Sequence, residues 1–226
     1  MGFPTVPLRR RQKLSAQPDP VAPLAMLGGV FDPLHRGHVE IARAALGLPG
    51  VEEVVWIPCR ILPHRKQDPI APPEARLEMV RILCQSIDGF VHDEIEFERQ
   101  GPSWTIDTIR SMSAAHPGRP LLWLIGADNI AHIGNWKDAE ELWQLAIPVV
   151  AHRPDSTPRL ERSHLPFLDD ERWEQVISWQ LPHISEKISS TRIRAMLAAG
   201  EAIEEWVPGP VQEAIEAGGW YSSGSP

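Results

Sequence analysis

Cysteine is scarce in this chain: Cys59 and Cys84 are the two thiols among 226 residues. They stand at no metal-ligand or redox spacing, which excludes a disulfide scaffold and a thiolate metal centre. Two reduced thiols of an intracellular protein remain. Long apolar runs are missing as well, since no stretch approaches the ~18 residues of a membrane-spanning helix. A soluble, cytoplasmic protein with no membrane partner is expected. Positive charge is in deficit, with 22 Lys and Arg against 30 Asp and Glu for a net charge of -8. That is the opposite of the basic face by which proteins hold nucleic acid. A small phosphate ligand needs only a few local cations and backbone amides, so nucleotide binding stays open. There is no internal repeat. Residues 1–23 carry Arg9, Arg10, Arg11 and Lys13 among prolines, with no apolar segment following. This composition fits a disordered leader or a misassigned start better than a secretion signal. Residues 24–221 read as a single domain, and 222–226 as a flexible tail.

Within that domain, strand-like and helix-like segments alternate. Residues 24–30 form a short apolar run containing Gly28 and Gly29, and residues 37–46 follow with helical spacing. A second buried run covers 54–57, closed by Pro58. A helix is expected over 73–87 with proline at its start, a strand over 90–92, and a helix over 103–112 with Ser103 as its cap. Residues 121–125 and 146–151 are continuous apolar strands of the kind buried on both faces of a parallel sheet. Residues 136–145 look helical, 153–174 form a long proline-rich and charged loop, and 175–181 suggest a last strand. Helices are expected over 190–199, closed by Gly200, and over 211–217, closed by Gly218. The pattern predicts an α/β fold, a Rossmann-like doubly wound parallel sheet with a small C-terminal helical part, with ligands at the carboxyl ends of the strands.

The most informative string runs Gly28-Gly29-Val30-Phe31-Asp32-Pro33-Leu34-His35-Arg36-Gly37-His38. Two glycines at a strand end allow a sharp turn and a close backbone approach to a ligand. A helix then starts near Gly37, and amides at a helix N-terminus favour bound phosphate. His35 and His38 share one face of the first turn. Paired imidazoles beside such amides suit a triphosphate whose α-phosphorus gains charge as a nucleophile arrives. A bare HxxH would say little, and it lacks the third ligand of a zinc site. A second string, Ile188-Ser189-Ser190-Thr191-Arg192-Ile193-Arg194, opens another helix. Its hydroxyls and start form an anion site of the same kind, and Arg192 and Arg194 add forked positive charge.

Four shorter segments lie between these strings. Pro63-His64-Arg65-Lys66 is a basic loop after the second strand, and Glu98-Arg99-Gln100-Gly101-Pro102-Ser103-Trp104-Thr105 leads into a helix. Leu124-Ile125-Gly126-Ala127-Asp128-Asn129 ends a buried strand, where Asp128 can accept from a ribose hydroxyl. Trp136 follows it and can stack on a planar ring; with nine tryptophans in the chain, most of them serve the core. Ala151-His152-Arg153-Pro154 puts Arg153 at another strand end.

Taken together these strings resemble the nucleotidyltransferase superfamily, whose signature is a glycine-rich turn followed by histidine–x–glycine–histidine, with an ISSTxIR element near the other end. GGVFDPLHRGH is most similar to bacterial nicotinate-nucleotide adenylyltransferases, and the likeness covers about residues 24–221. It implies that His35 and His38 contact the ATP phosphates and stabilise the transition state. Gly28, Gly29, Phe31 and Asp128 would line the ATP site, and Ser189, Ser190, Thr191 and Arg194 would hold the β- and γ-phosphates. His64, Arg65 and Lys66 would meet the acceptor phosphate. Trp104, Thr105, Trp136 and Arg153 would complete the acceptor site, with Thr105 and its neighbouring amide on the pyridine carboxylate. The family has tyrosine where this chain has Trp104, so an aromatic platform is kept and a hydroxyl lost. Related pantetheine-phosphate adenylyltransferases carry threonine where this chain has His35. The implied reaction moves AMP from ATP to nicotinate mononucleotide, releasing pyrophosphate, with Mg2+ bridging the ATP phosphates. Asp32 is the nearest carboxylate to that ion, although stabilising the turn suits it better. Nicotinamide mononucleotide or pantetheine phosphate as acceptor, or a nucleotide-binding regulator without turnover, are the competing readings. The tryptophan content would favour self-association into a homo-oligomer.

Overall fold

The computed structural model describes residues 22–63, 69–152, 159–182 and 188–221. The expected leader and tail, the basic residues His64, Arg65 and Lys66, and Arg153 lie outside the described residues.

Five strands, β1 (Leu24–Gly29), β2 (Val54–Pro58), β3 (Phe90–His92), β4 (Leu121–Gly126) and β5 (Ala146–Ala151), form one sheet in the order β3-β2-β1-β4-β5. Every pairing is parallel. The apolar runs become strands because each is covered on both faces: every residue of β2 and of β5 is buried. Helices α1 (Arg36–Leu46), α2 (Pro73–Ser86), α3 (Ile95–Glu98), α4 (Thr105–Ala115), α5 (Ala139–Leu145) and α6 (Asp170–Ser178) follow in chain order. The C-terminal part adds α7 (Ser190–Ala199) and α8 (Gly209–Gly218). α1 turns Val39, Ile41, Ala42 and Ala45 inward, and α2 buries Leu77, Met79, Val80, Leu83 and Cys84. α8 packs on α2 and buries Val211 and Ile215, which ties the C-terminal part to the sheet side of the molecule. Among the described residues, no helix is long and apolar enough to cross a membrane.

Strand order reverses between β1 and β4, since β2 and β3 lie on one side of β1 and β4 and β5 on the other. In doubly wound sheets this reversal opens a crevice at the carboxyl ends of the two strands. The glycine–histidine string leaves β1 there, and the Gly126–Asn129 string leaves β4 beside it.

Several boundaries differ from the sequence expectation. Residues 175–181 form no strand: α6 covers Asp170–Ser178, capped by Asp169, whose side chain accepts from the Arg172 N–H at 2.8 Å. Val176 and Ile177 suggested β-structure, but the acidic first turn and the cap decide for helix. The expected loop over 153–174 is therefore shorter among the described residues, and it also holds a 3-10 turn, Arg162–His164. The helix expected from residue 136 starts at Ala139, because Asp138 takes a left-handed φ of 50° and the preceding Ala127–Asn135 winds as a 3-10 helix. Ser103 does not cap α4. Trp104 occupies the cap position, while the Ser103 hydroxyl accepts from the N–H groups of Arg60 and Ile61 at 3.2 and 3.3 Å. The last helix is longer than expected and closes on Gly219 in the left-handed region.

Candidate active site

The two signature strings meet. The Ser190 hydroxyl donates to the Pro33 carbonyl at 3.0 Å, and Arg194 donates through Nη1 to the Asp32 carbonyl at 2.6 Å. The second Nη of Arg194 reaches Thr191 Oγ1 at 3.2 Å. The start of α7 is thereby docked against the turn that feeds α1. Arg194 is half-buried, while Thr191 and Arg192 stay exposed. Ser189 caps α7 by accepting from the Arg192 N–H at 3.3 Å, so its oxygen serves the helix.

At the start of α1 the His35 and His38 rings stack, with centroids 3.7 Å apart and planes 26° from parallel. The His35 N–H donates to Nδ1 of His38 at 3.2 Å. A ring nitrogen that accepts carries no hydrogen, so His38 is held with its hydrogen on Nε2. His35 is only 3% exposed and lies behind His38, which is half-buried. His38 is thus the imidazole nearer solvent, and His35 its backing. Phe31 turns its ring into the core at 2% exposure, edge-on to His38 at 5.1 Å and against Trp56 at 5.5 Å. The ring acts on the site through His38.

Two features of this turn add to the sequence reading. The amide of Arg36, first in α1, donates to the Trp206 carbonyl at 2.8 Å. It therefore binds the C-terminal segment and is not held ready for an anion. The glycines also serve a purpose other than a ligand's close approach. A Cβ on Gly28 would overlap the indole of Trp123, and one on Gly29 would press on the Phe31 ring at 3.0 Å. The missing side chains make room for two aromatic rings that support the turn.

Asp32 is 5% exposed and its carboxylate is well supplied with donors. Oδ1 accepts from the Ala71 N–H at 3.0 Å and the Tyr221 hydroxyl at 2.8 Å, and Oδ2 from the Ile70 N–H at 2.9 Å. This is the turn-stabilising role. Among the described residues, no three His, Cys, Asp or Glu side chains cluster as a metal site.

The adjoining half of the crevice is built on the exits of β2 and β4. The segment before α4 is laced to the loop after β2: Ser103 N–H donates to the Ile61 carbonyl at 2.8 Å, and Arg60 Nη1 to the Arg99 carbonyl at 2.9 Å. Beneath it lies a buried carboxylate, Glu96, which accepts from Thr108 Oγ1 at 2.7 Å; Arg99 in turn donates to that hydroxyl at 2.7 Å. Burial pushes the Glu96 carboxyl above its ordinary range, against the pull of Thr108 and the other partners. Trp104 is half-buried, with Lys137 Nζ 5.2 Å above its ring. The neighbour of Lys137, Trp136, packs at 5.5 Å on Trp143 and remains half-buried. Thr105 is the first residue of α4. Asp128 stands exposed in the first turn of the 3-10 helix after β4.

Sequence reasoning missed Arg76 and Tyr221. Arg76 is 1% exposed and its guanidinium donates to the carbonyls of Val30, Cys59, Arg60 and Ala71 at 2.8, 2.5, 3.1 and 3.3 Å. It clamps the exits of β1 and β2. Its one sequence signal is an arginine on the apolar face of a helix, between Ala75 and Leu77. Cys59, beside this clamp, has its thiol pushed up to about 11, first by burial and then by Glu96, so it stays protonated and unreactive.

Comparison with known proteins fits this geometry. The cytidylyltransferase-like family model matches residues 26–196. A probable nicotinate-nucleotide adenylyltransferase of Symbiobacterium thermophilum is 34% identical over 86% of this chain and 93% of its own length. Another, of Aeromonas hydrophila, is 35% identical over 88% of this chain and 97% of its own. Among solved structures, Plasmodium falciparum nicotinic acid mononucleotide adenylyltransferase complexed with NaAD superposes with a TM-score of 0.69. It shares 17% identity and covers 89% of this chain and 98% of that one, a likeness of fold.

Proposed function

Since the chain belongs to the nicotinate-nucleotide adenylyltransferase family, within the cytidylyltransferase-like group, we propose that it transfers AMP from ATP to nicotinate mononucleotide, forming nicotinate adenine dinucleotide and pyrophosphate. The observation that carries this reading is the docking of α7 on the β1–α1 turn, through Ser190 to Pro33 and Arg194 to Asp32. It joins the helix that carries Arg194 to the turn that leads into His38, which supports one site for a triphosphate.

The chemistry follows from that placement. An oxygen of the acceptor's phosphate attacks the α-phosphorus, and the bond from that phosphorus to the bridging oxygen of the leaving pyrophosphate breaks. No covalent enzyme intermediate is needed, so the protein contributes alignment and charge stabilisation. His38 presents its Nε2 hydrogen to a non-bridging α-phosphate oxygen, where negative charge grows. The backbone amides at Ser190 and Thr191, the Thr191 hydroxyl and Arg194, with Arg192 nearby, receive the β- and γ-phosphates and hold the pyrophosphate as it forms, while the Ser190 hydroxyl stays on the Pro33 carbonyl. Magnesium enters as part of the ATP complex, as substrate. The Asp32 carboxylate is taken up by Ile70, Ala71 and Tyr221, and Asp128 is assigned to the ribose.

Trp104, Thr105 and Trp136 take the acceptor's pyridine ring and carboxylate. The start of α4 supplies amides at Thr105, and Lys137 adds a cation over Trp104. A carboxylate gains more from that surrounding than an uncharged amide does, which favours the nicotinate form. His64, Arg65, Lys66 and Arg153 are assigned to the acceptor phosphate by their place in the sequence. The reaction is assigned to the cytoplasm. The test is pyrophosphate release with ATP and magnesium on three acceptors: nicotinate mononucleotide, nicotinamide mononucleotide and pantetheine phosphate. Preference for the nicotinate form is expected. A preference for the amide would overturn the acceptor assignment, and no release with any of the three would overturn the reaction.

A further inference from the structure

Tyr221 is the only tyrosine of the chain. It follows α8 and is 8% exposed, and its hydroxyl donates to Asp32 Oδ1 at 2.8 Å across 189 residues of sequence. The same carboxylate collects two other parts of the molecule. The N–H groups of Ile70 and Ala71 reach it from the segment that leads out of the basic stretch holding residues 64–66. Arg194 Nη1 lies 3.7 Å from Oδ2 while donating to the Asp32 carbonyl. One buried carboxylate thus joins α7, the segment at residues 70–71 and the C-terminal segment. Burial, and next to it the Asp32 charge, push the phenol far above its ordinary range, so the hydroxyl donates at every working pH.

Removing one donor from a buried carboxylate leaves it seeking another. Among the described residues Arg194 stands ready, 3.7 Å from Oδ2, and the proposed reaction needs it for the leaving phosphates. We propose that Tyr221 is a positioning residue for the reaction: by satisfying the Asp32 carboxylate it keeps the Arg194 guanidinium on the Asp32 carbonyl and Thr191, in place for the leaving phosphates, and fixes the segment at residues 70–71. The inference rests on the adenylyl-transfer reading for its kinetic consequence, and on geometry alone for its effect on ATP binding.

The test uses the full chain with Tyr221→Phe, Asp32→Asn and the double variant, each assayed by pyrophosphate release and by calorimetric ATP binding without acceptor. Tyr221→Phe keeps the ring and removes one oxygen. It is expected to raise KM and Kd for ATP about five- to tenfold, with kcat falling by less than about threefold. Because Tyr221 acts through Asp32, the double variant should bind ATP no more weakly than Asp32→Asn alone. Unchanged ATP affinity in Tyr221→Phe would overturn the inference. So would additive losses in the double variant, which describe a hydroxyl acting independently of Asp32, or a Phe variant that fails to fold, which describes a purely structural one. A wild-type protein that binds ATP but releases no pyrophosphate would refute the functional reading, and the calorimetric comparison would still decide the role of Tyr221.

Discussion

The Ser190 hydroxyl lies 3.0 Å from the Pro33 carbonyl, joining segments 157 residues apart. This bond helps fix the distance between the two helix starts that must hold one triphosphate. Ser190→Ala should therefore cost about 1 kcal/mol of stability, the usual worth of such a bond. It should also raise KM for ATP more than it lowers kcat, as steady-state kinetics beside a thermal melt would show. An unchanged KM would mean that the bond only holds the fold.

His38→Ala separates catalysis from folding. The ring is half-buried and its removal leaves the core of α1 intact. A fall of about 10²–10³-fold in kcat is expected, the scale of losing one preorganised donor to a developing oxyanion. The melting temperature should fall only by the loss of the bond from the His35 N–H, worth about 1 kcal/mol. Wild-type turnover in this variant would remove the histidine from the mechanism.

Gly28→Ala probes the role assigned to the glycine turn. An added methyl would overlap the Trp123 indole, which is 4% exposed and cannot swing into solvent. A loss of about 1–3 kcal/mol is expected from overpacking, read from chemical denaturation. Pairing it with Trp123→Leu should recover part of the loss. No recovery would show that the glycine answers to something other than Trp123.

Glu96 gives a pH signature. Its folded-state carboxyl is raised above 4.5 by burial. A raised acid adds stability below the unfolded value and loses it as pH climbs through the folded one. The melting temperature of Glu96→Gln relative to wild type should therefore rise as pH increases upward from 4.5. A difference that stays flat across that window would show that burial does not govern this carboxyl.

Much of the fold was legible because its strands are fully covered. β5 matched its expected bounds, 146–151, since a continuous apolar run that ends at His152 and is covered on both faces has few other outcomes. α7 also matched, being set by the Ser189 cap and the left-handed Gly200. Residues 175–181 were misread because Val176 and Ile177 fit either a strand or a helix, and only the acidic cap upstream decides. In the site, the two signature strings could be read, but their mutual bonds could not. Nothing in the sequence shows that Arg194 meets the Asp32 carbonyl, or that Tyr221 returns to the same residue, because both contacts depend on tertiary folding. Arg76 was hidden for a similar reason: its partners are backbone carbonyls, which leave no mark in the sequence.

The central claim is that the starts of α1 and α7 close on a single triphosphate. A crystal structure with a non-hydrolysable ATP analogue and magnesium tests it most directly. The account predicts an α-phosphate oxygen within hydrogen-bond distance of His38 Nε2 and a β- or γ-phosphate oxygen within reach of Arg194. A triphosphate seated away from either residue would contradict it.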